Sequence, residues 1–138
     1  MIRFLLVSVT GWLAVLGVGI EAAMPYILRN LAPPASAGNL PTRLSTLHAR
    51  MWPHYWLGYA LVILVLTHTW FVMGPVMGRS DATGIWAATL ALCLLFLQVV
   101  LGLALKSGSR NQRQLRQWHF AGMVAFIGLG LIHLWKNG

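Results

Sequence analysis

Two stretches of this chain carry paired histidines in otherwise apolar surroundings. They are "HYWLGYALVILVLTH", with His54 and His68, and "HFAGMVAFIGLGLIH", with His119 and His133. Each pair is fourteen positions apart, with no charged residue between. On an α-helix fourteen residues turn through about 1400°, roughly 40° short of four full turns, and rise about 21 Å. In a left-handed bundle they are two heptads, so the match is closer still. Both histidines of a pair therefore lie on one stripe. If the two helices run parallel, His54 shares a level with His119 and His68 shares another with His133. Two imidazoles from facing helices are the axial ligand set of a haem iron, and the sequence supplies that set twice. The chain has one cysteine and no C-x-x-C-H run, so such haems would be of b type, held without thioether bonds.

Other uses of these histidines fit less well. A lone histidine between membrane helices commonly hydrogen-bonds a neighbouring backbone, but that does not account for four in matched pairs. Ionisable groups at such depth are costly and usually functional. A zinc site needs three or four protein ligands at one level, whereas each level here offers two. A proton relay normally recruits carboxylates, and the only acidic residues are Glu21 and Asp81.

The elements that must position the histidines follow from composition. The chain has 138 residues, of which 58% are hydrophobic and 9% charged. A soluble domain carries roughly a quarter of its residues as charges, so this is a membrane protein. Four apolar runs, about 4–23, 55–73, 85–105 and 118–135, each have the length of a spanning helix. None alternates as a strand would. The expected fold is an all-α membrane protein: a single transmembrane domain over 1–138, built as a four-helix up-down-up-down bundle. The first run is read as a retained helix rather than a cleaved signal, because it is long and Glu21 interrupts the small residues after it. Cys93 reads as a small buried hydrophobe.

A formal charge of +8 would point to nucleic acid in a soluble protein. Here the cations cluster at helix ends, where topology and anionic headgroups explain them, so no nucleic-acid partner is expected. Connections 1 and 3 hold Arg29, Arg43, Arg50, Lys106, Arg110, Arg113 and Arg116, against Arg3, Arg79 and Lys136 elsewhere. That bias puts these connections in the cytoplasm and both termini on the non-cytoplasmic side of a bacterial-type inner membrane. Connection 1 combines a Pro- and Gly-rich loop with a segment, "TRLSTLHARMW", whose Leu44, Leu47 and Met51 could lie on the membrane surface.

Haem propionates need cations or hydrogen-bond donors at the hydrocarbon edge. Arg50 and Arg116 lie about one turn outside His54 and His119. At the opposite surface Lys136 follows His133, and Arg79 lies beyond the second helix. Snorkelling or topology would explain the same four cations. Gly58 and Gly122, four and three residues past a ligand candidate, would let a haem face or a neighbouring helix approach. His48 reads as a surface residue, and Trp52, Trp56, Trp70, Trp118 and Trp135 as interfacial anchors.

With its paired H-x13-H motifs on helices 2 and 4, the chain resembles the four-helix, two-haem transmembrane cytochrome b module, including the b-type subunits that anchor respiratory dehydrogenases. The resemblance covers essentially the whole chain. It implies that His54, His119, His68 and His133 ligate two haems stacked across the bilayer. It does not extend to the further helices or the Pro-Glu-Trp-Tyr motif of the large cytochrome b of quinol-oxidising complexes. Nor do Gly11, Gly17, Gly19, Gly84 and Gly102 reproduce that protein's glycine spacing. The expected role is electron transfer across the bilayer as a subunit of a larger membrane redox complex, rather than an enzyme alone. The partners would be other subunits or a soluble carrier, with a quinone as a further candidate. A stand-alone quinone-linked reductase, with Glu21 near a proton-supplying site, is the alternative within the same chemistry. A haem-free anchor or assembly subunit is the alternative outside it.

Overall fold

The computed structural model describes residues 2–30, 51–73, 80–108 and 111–137. Among these residues there are four helices: α1 (Ile2–Asn30), α2 (Trp52–Val72), α3 (Ala82–Lys106) and α4 (Gln112–Asn137). All four are long and apolar enough to cross a bilayer. In hydrocarbon every backbone N–H and C=O must be satisfied within the segment, and these apolar stretches satisfy theirs by coiling. The helices overrun the apolar runs at most ends. α1 continues past Ala23 and through Pro25 to Asn30, and α4 begins in the polar "QRQLRQ" before Trp118. Helix formation needs only propensity and hydrogen bonds, so it extends into the headgroup layer where hydropathy has already fallen. At 21 residues, about 31 Å, α2 barely spans the hydrocarbon, whereas α1, at 29 residues, overshoots it.

The α3–α4 hairpin is tied at both ends. Asp81 caps α3, its carboxylate accepting from the backbone N–H groups of Thr83 at 2.9 Å and Gly84 at 3.2 Å. The Asp81 backbone N–H donates to Asn137 Oδ1, which anchors the start of α3 to the end of α4. At the other end α3 closes on Ser107, and Gly108 takes a φ of 76°, the left-handed conformation that a residue with a Cβ resists. Gln112 Nε2 then donates across the turn to Leu105 O at 3.1 Å.

Between those ends, Gly84, Ala87, Ala91 and Leu95 form a buried seam at heptad spacing, and small residues there let the backbones approach closely. Cys93 is not part of it. It is exposed on the outer face of α3, so the expectation of a buried cysteine is corrected: the seam takes Ala91 and Leu95 on either side of it.

α1 packs along α2 in the same antiparallel way. Gly17 faces Leu61, whose Cδ1 lies 3.2 Å from where a Cβ on Gly17 would stand. The two hairpins approach each other less closely. Some backbone contact links α2 and α3, but α2 and α4 do not run in close backbone contact. The two parallel helices instead face one another through side chains, the histidines among them. The outer surface is apolar, with Trp135 88% exposed and Trp12, Trp70 and Trp118 also outward. A lipid environment solvates such a surface, and the tryptophans near the helix ends fit its interfaces.

Candidate cofactor sites

The antiparallel hairpins set the levels of the histidines. Thr10 and Gly11 of α1 lie beside His68, and Glu21 lies beside His54. On α3, Gly84 lies beside His133 and Gly102 beside His119. α2 and α4 are therefore parallel, and the four imidazoles form two pairs. The ring centres of His54 and His119 are 6.4 Å apart with planes at 80°, and those of His68 and His133 are 6.4 Å apart with planes at 82°.

That separation can be compared with chemistry. A metal–imidazole bond is about 2.0–2.1 Å. The centre of a five-membered ring with bonds of about 1.33 Å lies ~1.1 Å behind the bound nitrogen. Two imidazoles on opposite sides of one metal thus have centres about 6.2–6.4 Å apart. Rings bound in this way contain the metal axis at any mutual twist, so near-perpendicular planes are compatible with it. The two pairs repeat the same spacing at two levels about 21 Å apart along the helices.

The outer ring nitrogens support the same reading. His133 Nδ1 is 3.0 Å from Gly84 O, and because a carbonyl only accepts, the proton belongs on Nδ1. His68 Nδ1 is 3.1 Å from Thr10 Oγ1, whose own proton goes to Leu6 O at 2.6 Å, so Nδ1 is the donor there too. His54 Nδ1 lies 2.9 Å from Glu21 Oε1, in range of the carboxylate although not aligned as a hydrogen bond. In the His68 and His133 rings the tautomer that engages Nδ1 leaves Nε2 with a free lone pair, the pattern of a histidine ligand with an outer-shell acceptor. His119 Nδ1 is buried with no hydrogen-bond partner among the described residues, as are Glu21 Oε2 and both polar atoms of Gln98.

Glycines cradle the rings. A Cβ on Gly11 would stand 3.1 Å from His68 Cε1, and one on Gly102 would stand 3.8 Å from His119 Cε1. Gly58 instead receives Glu21, whose Oε1 would lie 3.2 Å from an added Cβ, and Gly122 receives the Gln98 amide. Gly58 and Gly122 thus open notches for polar side chains of α1 and α3.

Among the expected edge cations, Arg50 and Arg79 lie outside the described residues, as do Arg43, Leu44, Leu47 and His48. Arg116 is exposed at the start of α4. Lys136 is exposed and lies close enough to Asp81 to favour its charged form. The structure adds two cations that spacing did not single out. Lys106 Nζ sits 5.2 Å over the ring of Tyr55, next to His54. Arg3 lines a cavity of about 460 Å³ with Trp70, Phe71 and Met73, beyond His68.

No three His, Cys, Asp or Glu side chains converge to hold a metal among the described residues. Each pair supplies two protein ligands, too few for tetrahedral zinc and enough for a haem iron. The residues present fit a bis-histidine haem at each level. No family model, curated protein or solved structure matches the chain.

Proposed function

We propose that this four-helix membrane protein is a di-haem b-type cytochrome subunit that passes electrons across the bilayer. The observation that carries the reading is the repeated histidine pair: two levels, each with imidazole centres 6.4 Å apart, a spacing that would accommodate one metal between them. Two haems so held would supply one-electron transfer between the membrane surfaces. His54 and His119 would hold one haem, and His68 and His133 the other. Thr10 and the Gly84 carbonyl hold the His68 and His133 rings by hydrogen bonds, Glu21 sets a carboxylate beside His54, and Gly11 keeps α1 clear of the His68 ring. Electrons would arrive from and leave to another subunit, a soluble carrier or a membrane quinone. Most of the lysines and arginines lie in connections 1 and 3 or in the helix ends that flank them, which supports an inner-membrane orientation with both termini on the non-cytoplasmic side.

The test is purification of the full chain in detergent, with haem extraction and low-temperature spectroscopy. Two b haems per chain, low-spin in both oxidation states, is the expected result. One haem or none per chain overturns the proposal, and none at all returns the protein to the class of haem-free anchors.

A further inference from the structure

Glu21 makes the two histidine levels chemically unequal. The chain has two acidic residues in all, and Asp81 is committed to capping α3 at a membrane surface. Glu21 is the only acid within a spanning helix, and it is not at a helix end: nine residues of α1 follow it. Its Oε1 is 2.9 Å from His54 Nδ1 and lies over Gly58, where any side chain would crowd it. The side chains of Glu21 and His54 are 18% and 16% exposed, so the contact is largely shielded. The corresponding nitrogens of the other pair face neutral acceptors, the Thr10 hydroxyl and the Gly84 carbonyl.

We propose that Glu21 is a positioning residue that holds the redox centre at His54 and His119 at the lower potential of the two, and so sets the direction of electron flow through the chain. This rests on the di-haem reading above. A negative charge this close to a ligand imidazole would favour the oxidised, more positive form of the metal it holds. Nearby cations act in the opposite sense. Among the described residues, however, Lys106 engages the Tyr55 ring and Arg116 is exposed, where screening weakens a charge. The shielded carboxylate in contact with His54 outweighs these two. One electron then leaves the level of His54 and His119 as the level of His68 and His133 gains it, with no proton required. Flow runs downhill from the surface of connections 1 and 3 toward the surface carrying the termini.

Redox titration of the holoprotein, followed optically, tests this. The unsubstituted protein should titrate in two separated steps, and the lower-potential component should be the one lost in His119→Ala. Glu21→Gln should raise that component by at least a tenfold change in its reduction equilibrium, about 59 mV for one electron, and leave the other in place. Glu21→Asp, which retains the anion, should keep it low. Loss of the higher-potential component in His119→Ala overturns the proposal, and that assignment decides the matter if Glu21→Gln fails to retain haem. Equal shifts of both components, or no shift with both haems bound, also overturn it. A preparation without haem instead overturns the di-haem reading on which it stands.

Discussion

His68 and Thr10, on adjacent antiparallel helices, form a hydrogen bond of 3.1 Å that fixes the imidazole's tautomer, because the threonine hydroxyl is already donating to the Leu6 carbonyl 2.6 Å away. Thr10 is among the few buried polar residues, and nothing in its own neighbourhood of sequence marks it out. Thr10→Val keeps the shape and removes the acceptor. Outer-shell partners of this kind typically contribute 10–100-fold to metal affinity. Thr10→Val should therefore weaken haem retention at the His68 and His133 level on dilution or mild heating, and leave the other level unchanged. Haem content after gel filtration measures this.

The pairing of the histidines predicts which substitutions share a phenotype. His54→Ala and His119→Ala should each remove the same haem, and His68→Ala and His133→Ala should each remove the other. Difference spectra and redox titrations of the four variants decide it. Loss of one haem shared between His54 and His133 would contradict the parallel arrangement of α2 and α4.

The histidine levels were legible in the sequence because they depend only on helical periodicity and chain direction: fourteen residues return to one stripe, and an up-down bundle makes alternate helices parallel. The partners of those histidines were not legible. Which residue of α1 meets His68 depends on the offset between antiparallel helices, and apolar composition does not encode that offset. Thr10, Gly11 and the Gly84 carbonyl were invisible for this reason. The glycines had been compared with a spacing along one helix, whereas what places Gly11, Gly84 and Gly102 beside imidazoles is their level on the neighbouring helix. Glu21 stands near the end of the apolar run of 4–23, which marks no partner for it, yet α1 continues to Asn30 and so carries Glu21 alongside His54.

Gly11 offers a steric test. An added Cβ would stand 3.1 Å from His68 Cε1, tighter than ordinary contact, whereas one on Gly19 meets nothing within 4 Å. Gly11→Ala should perturb the spectrum of the haem bound by His68, and Gly11→Leu should expel it. Gly19→Ala should do neither. Absorbance ratios normalised to protein content give the readout.

Asp81 lies outside the spans, and its carboxyl is held below the usual carboxylate range. The Gly84 backbone N–H contributes most, with Thr83 and the charge of Lys136 adding to it. A depressed folded-state pKa means that the cap's contribution is complete above the unfolded value of about 4 and is lost as pH falls through the folded value. Asp81→Ala should lower the thermal midpoint at neutral pH, and the gap from the unsubstituted protein should narrow on acidification below about pH 4. Thermal melts in detergent across that range show whether it does.

Arg116 carries the last prediction, opposite in sign to that for Glu21. It lies three residues before His119, about one turn outside it, exposed at the start of α4 where a propionate of the haem at that level would reach the headgroups. If the guanidinium pairs with that propionate, its charge stabilises the added electron, and Arg116→Gln should lower the midpoint of the haem held by His54 and His119. Solvent and salt screen an exposed cation, so the shift should be smaller than the one produced by Glu21→Gln, and it should shrink further at high ionic strength. The haem about 21 Å away should not move measurably. Combining the two substitutions should give a midpoint between those of the single variants, since the charges act on one iron from different sides. If Arg116 serves only membrane topology, its removal will leave both midpoints in place, and the pairing of a propionate with this arginine is excluded.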